Sequence, residues 1–195
     1  MSSRSLPTSV GGARSTGWWG MALFIVAELV LFGSALAAYF YLRFRSPAWP
    51  PAGIEAPDLT LGWIATAFLV LSSVPVIWGE RGIARGQVWR LRLGIAVAMA
   101  MALAFLSIQG YEYATADFGY RTSAYGSLFF TITSLHGLHV IGALLIGVYL
   151  QARSLAGHFD EDHHLAVQTG ALYWHFVDLV WIAIFASLYL SAHVG

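Results

Sequence analysis

Five stretches of the chain are apolar almost throughout, at about Trp18–Leu42, Leu61–Gly79, Leu91–Tyr113, Tyr125–Leu150 and Gly170–Ala192. About 20 helical residues at 1.5 Å each cross about 30 Å of hydrocarbon. The pattern therefore predicts an all-α polytopic membrane bundle of five transmembrane helices, over 18–42, 61–79, 91–113, 125–150 and 170–192. Residues 1–17 are rich in Ser and Gly and are expected to form a disordered tail, leaving 18–195 as the membrane domain. Ala35-Leu36-Ala37 resembles a signal-peptidase site, but Glu28 lies mid-way along the preceding apolar run, so the first span is expected to be retained.

The connections carry their own signals. "RFRSPAWPPAGIEAPD" between spans 1 and 2 holds four prolines and should be extended and semi-rigid. Pro75 is expected to kink span 2 near one end. Alanines 96, 100 and 104 repeat every four residues in span 3. Small side chains at that spacing let helices approach closely, so this face is expected to pack.

Composition agrees: 58% of residues are hydrophobic and 10% charged, with mean hydropathy +0.67, against about 25% charged in soluble domains. The absence of cysteine excludes disulfides, thiolate metal sites and haem attachment through cysteine. All ten basic residues are arginine, and zero net charge argues against a nucleic-acid partner. Seven arginines (4, 14, 81, 85, 90, 92 and 153) fall on the side of the N-terminal tail and the 2–3 and 4–5 loops. Three (43, 45 and 121) fall on the other. This bias predicts a cytoplasmic N-terminus and a periplasmic C-terminus. Tryptophan and tyrosine lie near both boundaries, as interfacial belts do.

Candidate chemistry lies in the polar residues inside the spans. Span 1 carries Glu28, span 3 Gln109 and Glu112, span 4 His136 and His139, and span 5 His175 and Asp178. Pairs at i, i+3 lie on neighbouring parts of one helix face. Glu28, His139 and Asp178 lie about 15, 16 and 12 Å from the same end of their spans. A shared intramembrane cluster of Glu28, His136, His139, His175 and Asp178 is the expectation, since ionisable groups in lipid pair with one another. Three readings fit: haem or metal ligation by the histidines, a proton relay, or a structural role tying helices together or holding lipid headgroups. In the 4–5 loop, His158, His163 and His164 with Asp160, Glu161 and Asp162 suggest either a surface metal site or a solvated loop whose acids cap a helix.

The motifs "GMALFIVAELVLFGSALAAYFYLR" (20–43), "WPP" (49–51), "QGYEY" (109–113), "YGSLFF" (125–130), "FFTITSLHGLHVIGALL" (129–145), His163-His164 and "YWHFVDLVW" (173–181) follow in order. Together they resemble subunit III of haem-copper cytochrome c oxidases, in its short five-helix form, from Trp18 onward. The resemblance implies a subunit without catalytic residues or a redox centre of its own. Haem and copper would reside in partner subunits, chiefly subunit I, with subunit II and small subunits nearby. It further implies bound phospholipid, support of proton uptake and of stability during turnover, a lipid-filled cleft proposed as an oxygen route, and a bacterial inner-membrane location. The family's carbodiimide-reactive glutamate corresponds to Glu28. Trp174, Trp181, Gln109 and Glu112 are candidate lipid or subunit contacts, and His175 and Asp178 would tie span 5 to its neighbours or to a headgroup. Two departures stand out: Gln168 replaces a glutamate seven residues before His175, and Ala65-Thr66 replaces Asn-Thr. A nitric-oxide-reductase accessory protein of the same superfamily and a quinol-oxidase subunit are sibling alternatives. A stand-alone transporter is disfavoured by the lack of an inverted repeat.

Overall fold

The computed structural model describes residues 16–193, so the tail expected over 1–17 lies almost wholly outside the described residues. Five helices follow: α1 (Thr16–Arg45), α2 (Leu59–Ile83), α3 (Val88–Thr115), α4 (Ala124–Leu155) and α5 (Leu165–Ile184). A π-helical turn (Phe185–Leu190) and a 3₁₀ turn (Ser191–His193) prolong α5. All five are long and apolar enough to cross a membrane, and no strand occurs among the described residues. α1 to α4 each contain their predicted span and run beyond it at both ends, and α5 covers the predicted 170–192 only together with the two turns that prolong it. Backbone hydrogen bonding continues past the apolar run until a loop signal stops it. Asp58 starts α2 by accepting from the Thr60 and Leu61 amides, and Ser123 starts α4 by accepting from the Gly126 amide.

Helices α2, α3, α4 and α5 neighbour one another in turn, and α5 closes the ring against α2. α1 lies outside this ring against α4 and α5. Its inward stripe, Met21, Ile25, Glu28, Phe32, Ala35 and Tyr39, advances by three and four residues as a helix face requires. Most of the rest of α1 is exposed, with only 6% of its most apolar stretch buried. For α5 the figure is 61%: α5 is the central helix. The proline-rich loop returns over the bundle through Trp49, whose ring meets Tyr39 and Tyr125 edge-on at 5.5 and 5.3 Å.

One expectation about packing changes. α2 runs through Pro75 as one helix, and it packs closely on α3. A Cβ on Gly94 would collide with the Pro75 carbonyl oxygen, so glycine is required there. The packing stripe of α3 is Gly94, Ala98 and Ala102, all buried, whereas Ala96 and Ala100 are exposed and Ala104 is half-buried. Small residues recur every four positions on two registers of this helix. Spacing alone does not separate them; the glycine that admits α2 does.

Candidate functional site

The polar side chains inside the bundle fall into separate joints rather than one cluster. The first links α1 to α4. Glu28 Oε2 lies 3.0 Å from His139 Nε2, and His139 Nδ1 lies 2.8 Å from the Leu135 carbonyl oxygen. The carbonyl can only accept, so Nδ1 carries a proton. A second proton must then lie between Nε2 and the carboxyl group. Both His139 ring nitrogens are thus engaged, and the Phe32 ring covers the imidazole at 4.9 Å.

The second joint links α4 to α5. His136 is wholly buried. Its Nε2–H donates to the Val177 carbonyl oxygen at 3.2 Å, and its ring lies among Phe105 at 5.6 Å and Trp181 at 5.1 Å. His136 and His139 are three residues apart, about 60° apart around the helix axis. That angle divides them: one turns to α5 and the other to α1.

The third joint contains a residue that the sequence did not single out. Ser73 of α2 donates to Asp178 Oδ2 at 2.5 Å and lies 2.8 Å from His175 Nδ1. A hydroxyl has one proton, already given to the carboxyl group, so His175 Nδ1–H donates to Ser73 Oγ. His175 and Asp178 therefore meet through a serine on the neighbouring helix. Beside this bridge, Trp174 Nε1–H donates to Ser72 Oγ at 2.8 Å and Trp181 Nε1–H to Thr66 Oγ1 at 2.9 Å.

These contacts correct the expectation that Trp174 and Trp181 face lipid or another subunit. They are 5% and 1% exposed, because a buried indole N–H needs an acceptor and α2 supplies hydroxyls to both. The signal was present in outline: tryptophans seven residues apart on span 5, and hydroxyl residues six or seven apart on span 2. Gln109 and Glu112 are likewise internal, at 5% and 9% exposed. Glu112 Oε2 accepts from Gln109 Nε2 at 2.8 Å and from the Tyr189 hydroxyl at 2.5 Å. The π-helical turn presents Tyr189 to α2, where a Cβ on Gly62 would come within 2.9 Å of its ring.

At the end bearing the 2–3 and 4–5 loops, Arg92 of α3 donates to the Ser154 carbonyl oxygen of α4 at 2.7 Å. The cation so satisfies a carbonyl at a helix C-terminus. In the 4–5 loop, Asp160 Oδ1 accepts from the Asp162 and His163 amides at 2.9 and 2.6 Å. The His163 amide bond, foremost, holds the Asp160 carboxyl below its ordinary value. α5 itself starts at His164 without a side-chain cap.

The chemistry open to the joints is limited. His139 would have to give up one of its bonds to bind a metal or haem iron, and His175 Nδ1 is committed to Ser73. What they do as found is fix α5 against α2 and α4, and α1 against α4.

A family model for cytochrome c oxidase subunit III matches residues 12–193. The chain is 39% identical over 173 residues to cytochrome c oxidase subunit 3 of Thermostichus vulcanus, covering 88% of this chain and 85% of that one. It is 37% identical over 173 residues to the protein of that name from Synechocystis sp. (88% and 74% covered). To that of Arabidopsis thaliana it is 36% identical over 178 residues (88% and 67%).

Proposed function

The chain belongs to the cytochrome c oxidase subunit III family, and from that premise we propose that it is the scaffold subunit that sustains a proton-pumping terminal oxidase in a bacterial inner membrane. It is a multi-pass membrane subunit of an oxidase complex. In this reading it packs mainly on subunit I, with subunit II and small subunits nearby. Those partners hold the haem and copper, and phospholipid fills the remaining contacts. Its N-terminus is cytoplasmic, in keeping with the arginine bias.

The observation that carries the proposal is how the intramembrane polar residues are used. Glu28, His136, His139, His175 and Asp178 all form hydrogen bonds that run within or between helices of this chain. That is the chemistry of a rigid support. The exposed apolar side chains of α1, among them Leu23, Val26 and Val30, are free for lipid or a large membrane partner.

The test is purification of tagged chain in mild detergent, with mass spectrometry and a reduced-minus-oxidised spectrum. Haem-containing oxidase subunits should co-purify in constant ratio. Removing this chain should leave the first turnovers intact and shorten the life of the activity. A preparation in which no haem accompanies the chain would overturn the proposal.

A further inference from the structure

Arg90 stands in the first turn of α3, at the end of the bundle bearing the 2–3 and 4–5 loops. The residues around it fix its course. Its stem lies across α2 at Gly82, where a Cβ would come within 2.5 Å of the Arg90 Cβ and 3.1 Å of its Cδ. Its guanidinium carbon lies 5.5 Å from the ring centres of both Trp78 and Trp89, and these indoles meet edge-on at 5.4 Å. A bare stretch of α2 and two aromatic rings thus hold the cationic head in one place.

Nothing from this chain answers its charge. Among the described residues no carboxylate lies within ion-pair distance of Arg90, and no acceptor takes a hydrogen bond from its side chain. The first turn of α3 carries no acidic residue, and Gln87 ahead of it gives no side-chain cap. The guanidinium therefore adds to the positive end of the helix dipole instead of offsetting it. Arg81 and Arg85, exposed where α2 turns towards α3, raise the local potential further. The place lacks an anion.

Its surroundings select which anion. Trp78 and Trp89 lie where the apolar runs of spans 2 and 3 give way to the loop, the depth of lipid headgroups. Leu71 and Val74 of α2 and Leu93 of α3 are spaced from these indoles as neighbours on one helix face are, and all three are exposed. An apolar track leading away from the cation is of no use to a soluble anion, whereas a phospholipid has both a phosphate for the head and chains for the track.

We propose that Arg90, held between Trp78 and Trp89, binds the phosphate of an anionic phospholipid whose acyl chains run along the α2–α3 face at Leu71, Val74 and Leu93. This goes beyond the scaffold reading, since it requires a membrane around the chain and no particular oxidase subunit.

The test is native mass spectrometry of the full chain, exchanged into detergent and titrated with phosphatidylglycerol or phosphatidylcholine. The wild type should take up its first phosphatidylglycerol about tenfold more tightly than phosphatidylcholine. Arg90→Gln should abolish that preference, and Trp89→Leu, which keeps every charge, should lower it about threefold. Arg85→Gln, an exposed arginine of the same turn, should change it by about twofold or less. Inorganic phosphate at about 10 mM should not displace the lipid, because it lacks the chains that the apolar track holds. Equal losses in Arg85→Gln and Arg90→Gln would reduce the site to diffuse surface charge and overturn the inference, as would a wild type without preference or displacement by inorganic phosphate. A preference that survives Arg90→Gln, with a neighbouring subunit then released from the purified complex at lower salt, would assign the head to a partner's carboxylate and overturn it equally. All of these outcomes leave the scaffold reading standing; that reading falls on its own if haem-bearing subunits fail to co-purify with the wild-type chain.

Discussion

Removing one oxygen atom from Ser73 should loosen the bundle more than removing the same atom next door. Ser73→Ala deletes the donor to Asp178 and the acceptor for His175, at 2.5 and 2.8 Å. Ser72→Ala deletes the acceptor for Trp174 at 2.8 Å, together with a bond to its own helix at Leu69. Interhelical hydrogen bonds in membrane bundles average about 0.6 kcal/mol and reach about 1.7. Ser73→Ala should therefore cost about 1–3 kcal/mol, and Ser72→Ala about half of that. The assay is unfolding of the purified chain by dodecyl sulfate in mixed micelles, followed by far-UV circular dichroism. A cycle with Asp178→Ala sharpens it: since Ser73 and Asp178 share a bond, their combined effect should fall short of the sum by about 0.5 kcal/mol or more. If Ser73→Ala unfolds with the wild type, or if the two substitutions add fully, the bridge does not hold α5 to α2 and the reasoning fails.

Other outcomes follow from the same geometry. Gly94→Val forces a side chain into the Pro75 carbonyl and should cost about 1–3 kcal/mol or abolish folding; Gly110→Val, whose Cβ meets nothing within 4 Å, should fold, by the same assay. Glu28→Gln keeps a donor for His139 Nε2 and should leave the amount of chain in the complex near normal. Glu28→Leu strands that nitrogen at about 1–3 kcal/mol and should lower the amount visibly on quantitative gels. Asp160 is held below its ordinary value of 3.8 by bonds to the loop amides. The order it gives the 4–5 loop should be complete above that pH and fade as pH falls through the lowered value. Amide exchange at Asp162 and His163 reads this, and a loop that stays protected in acid would contradict it.

The helices were legible in the sequence because hydrocarbon imposes one strong rule on every span: about 20 apolar residues with their backbone bonds made inside. Which faces meet was harder. Small residues in α3 repeat on two registers, and only the approach of Gly94 to α2 selects one. The pairing of Glu28 with His139 could be anticipated from matching depth. The bridge through Ser73 could not, since serine in an apolar run commonly bonds to its own helix, as Ser34 and Ser107 do here. The π-helical turn at Phe185–Leu190 carries no sequence signal that we recognise. Its effect is visible in the partners of Tyr189.

The central position of α5 bears on how the protein is made. Helices enter the membrane in chain order, and α5 follows the four others. Until it arrives, Ser73 of α2 lacks both its partners, Ser72 and Thr66 keep their bonds to their own helix but lack the indoles they accept from, and His136 of α4 has no Val177 carbonyl to meet. The half-made subunit therefore presents polar groups to lipid for the whole time that the ribosome needs to finish α5. Any factor that guards nascent membrane proteins, or any protease that clears stalled ones, would find its handle there. A ribosome arrested before Leu165 would leave an intermediate marked for removal by the very residues that later lock the bundle shut.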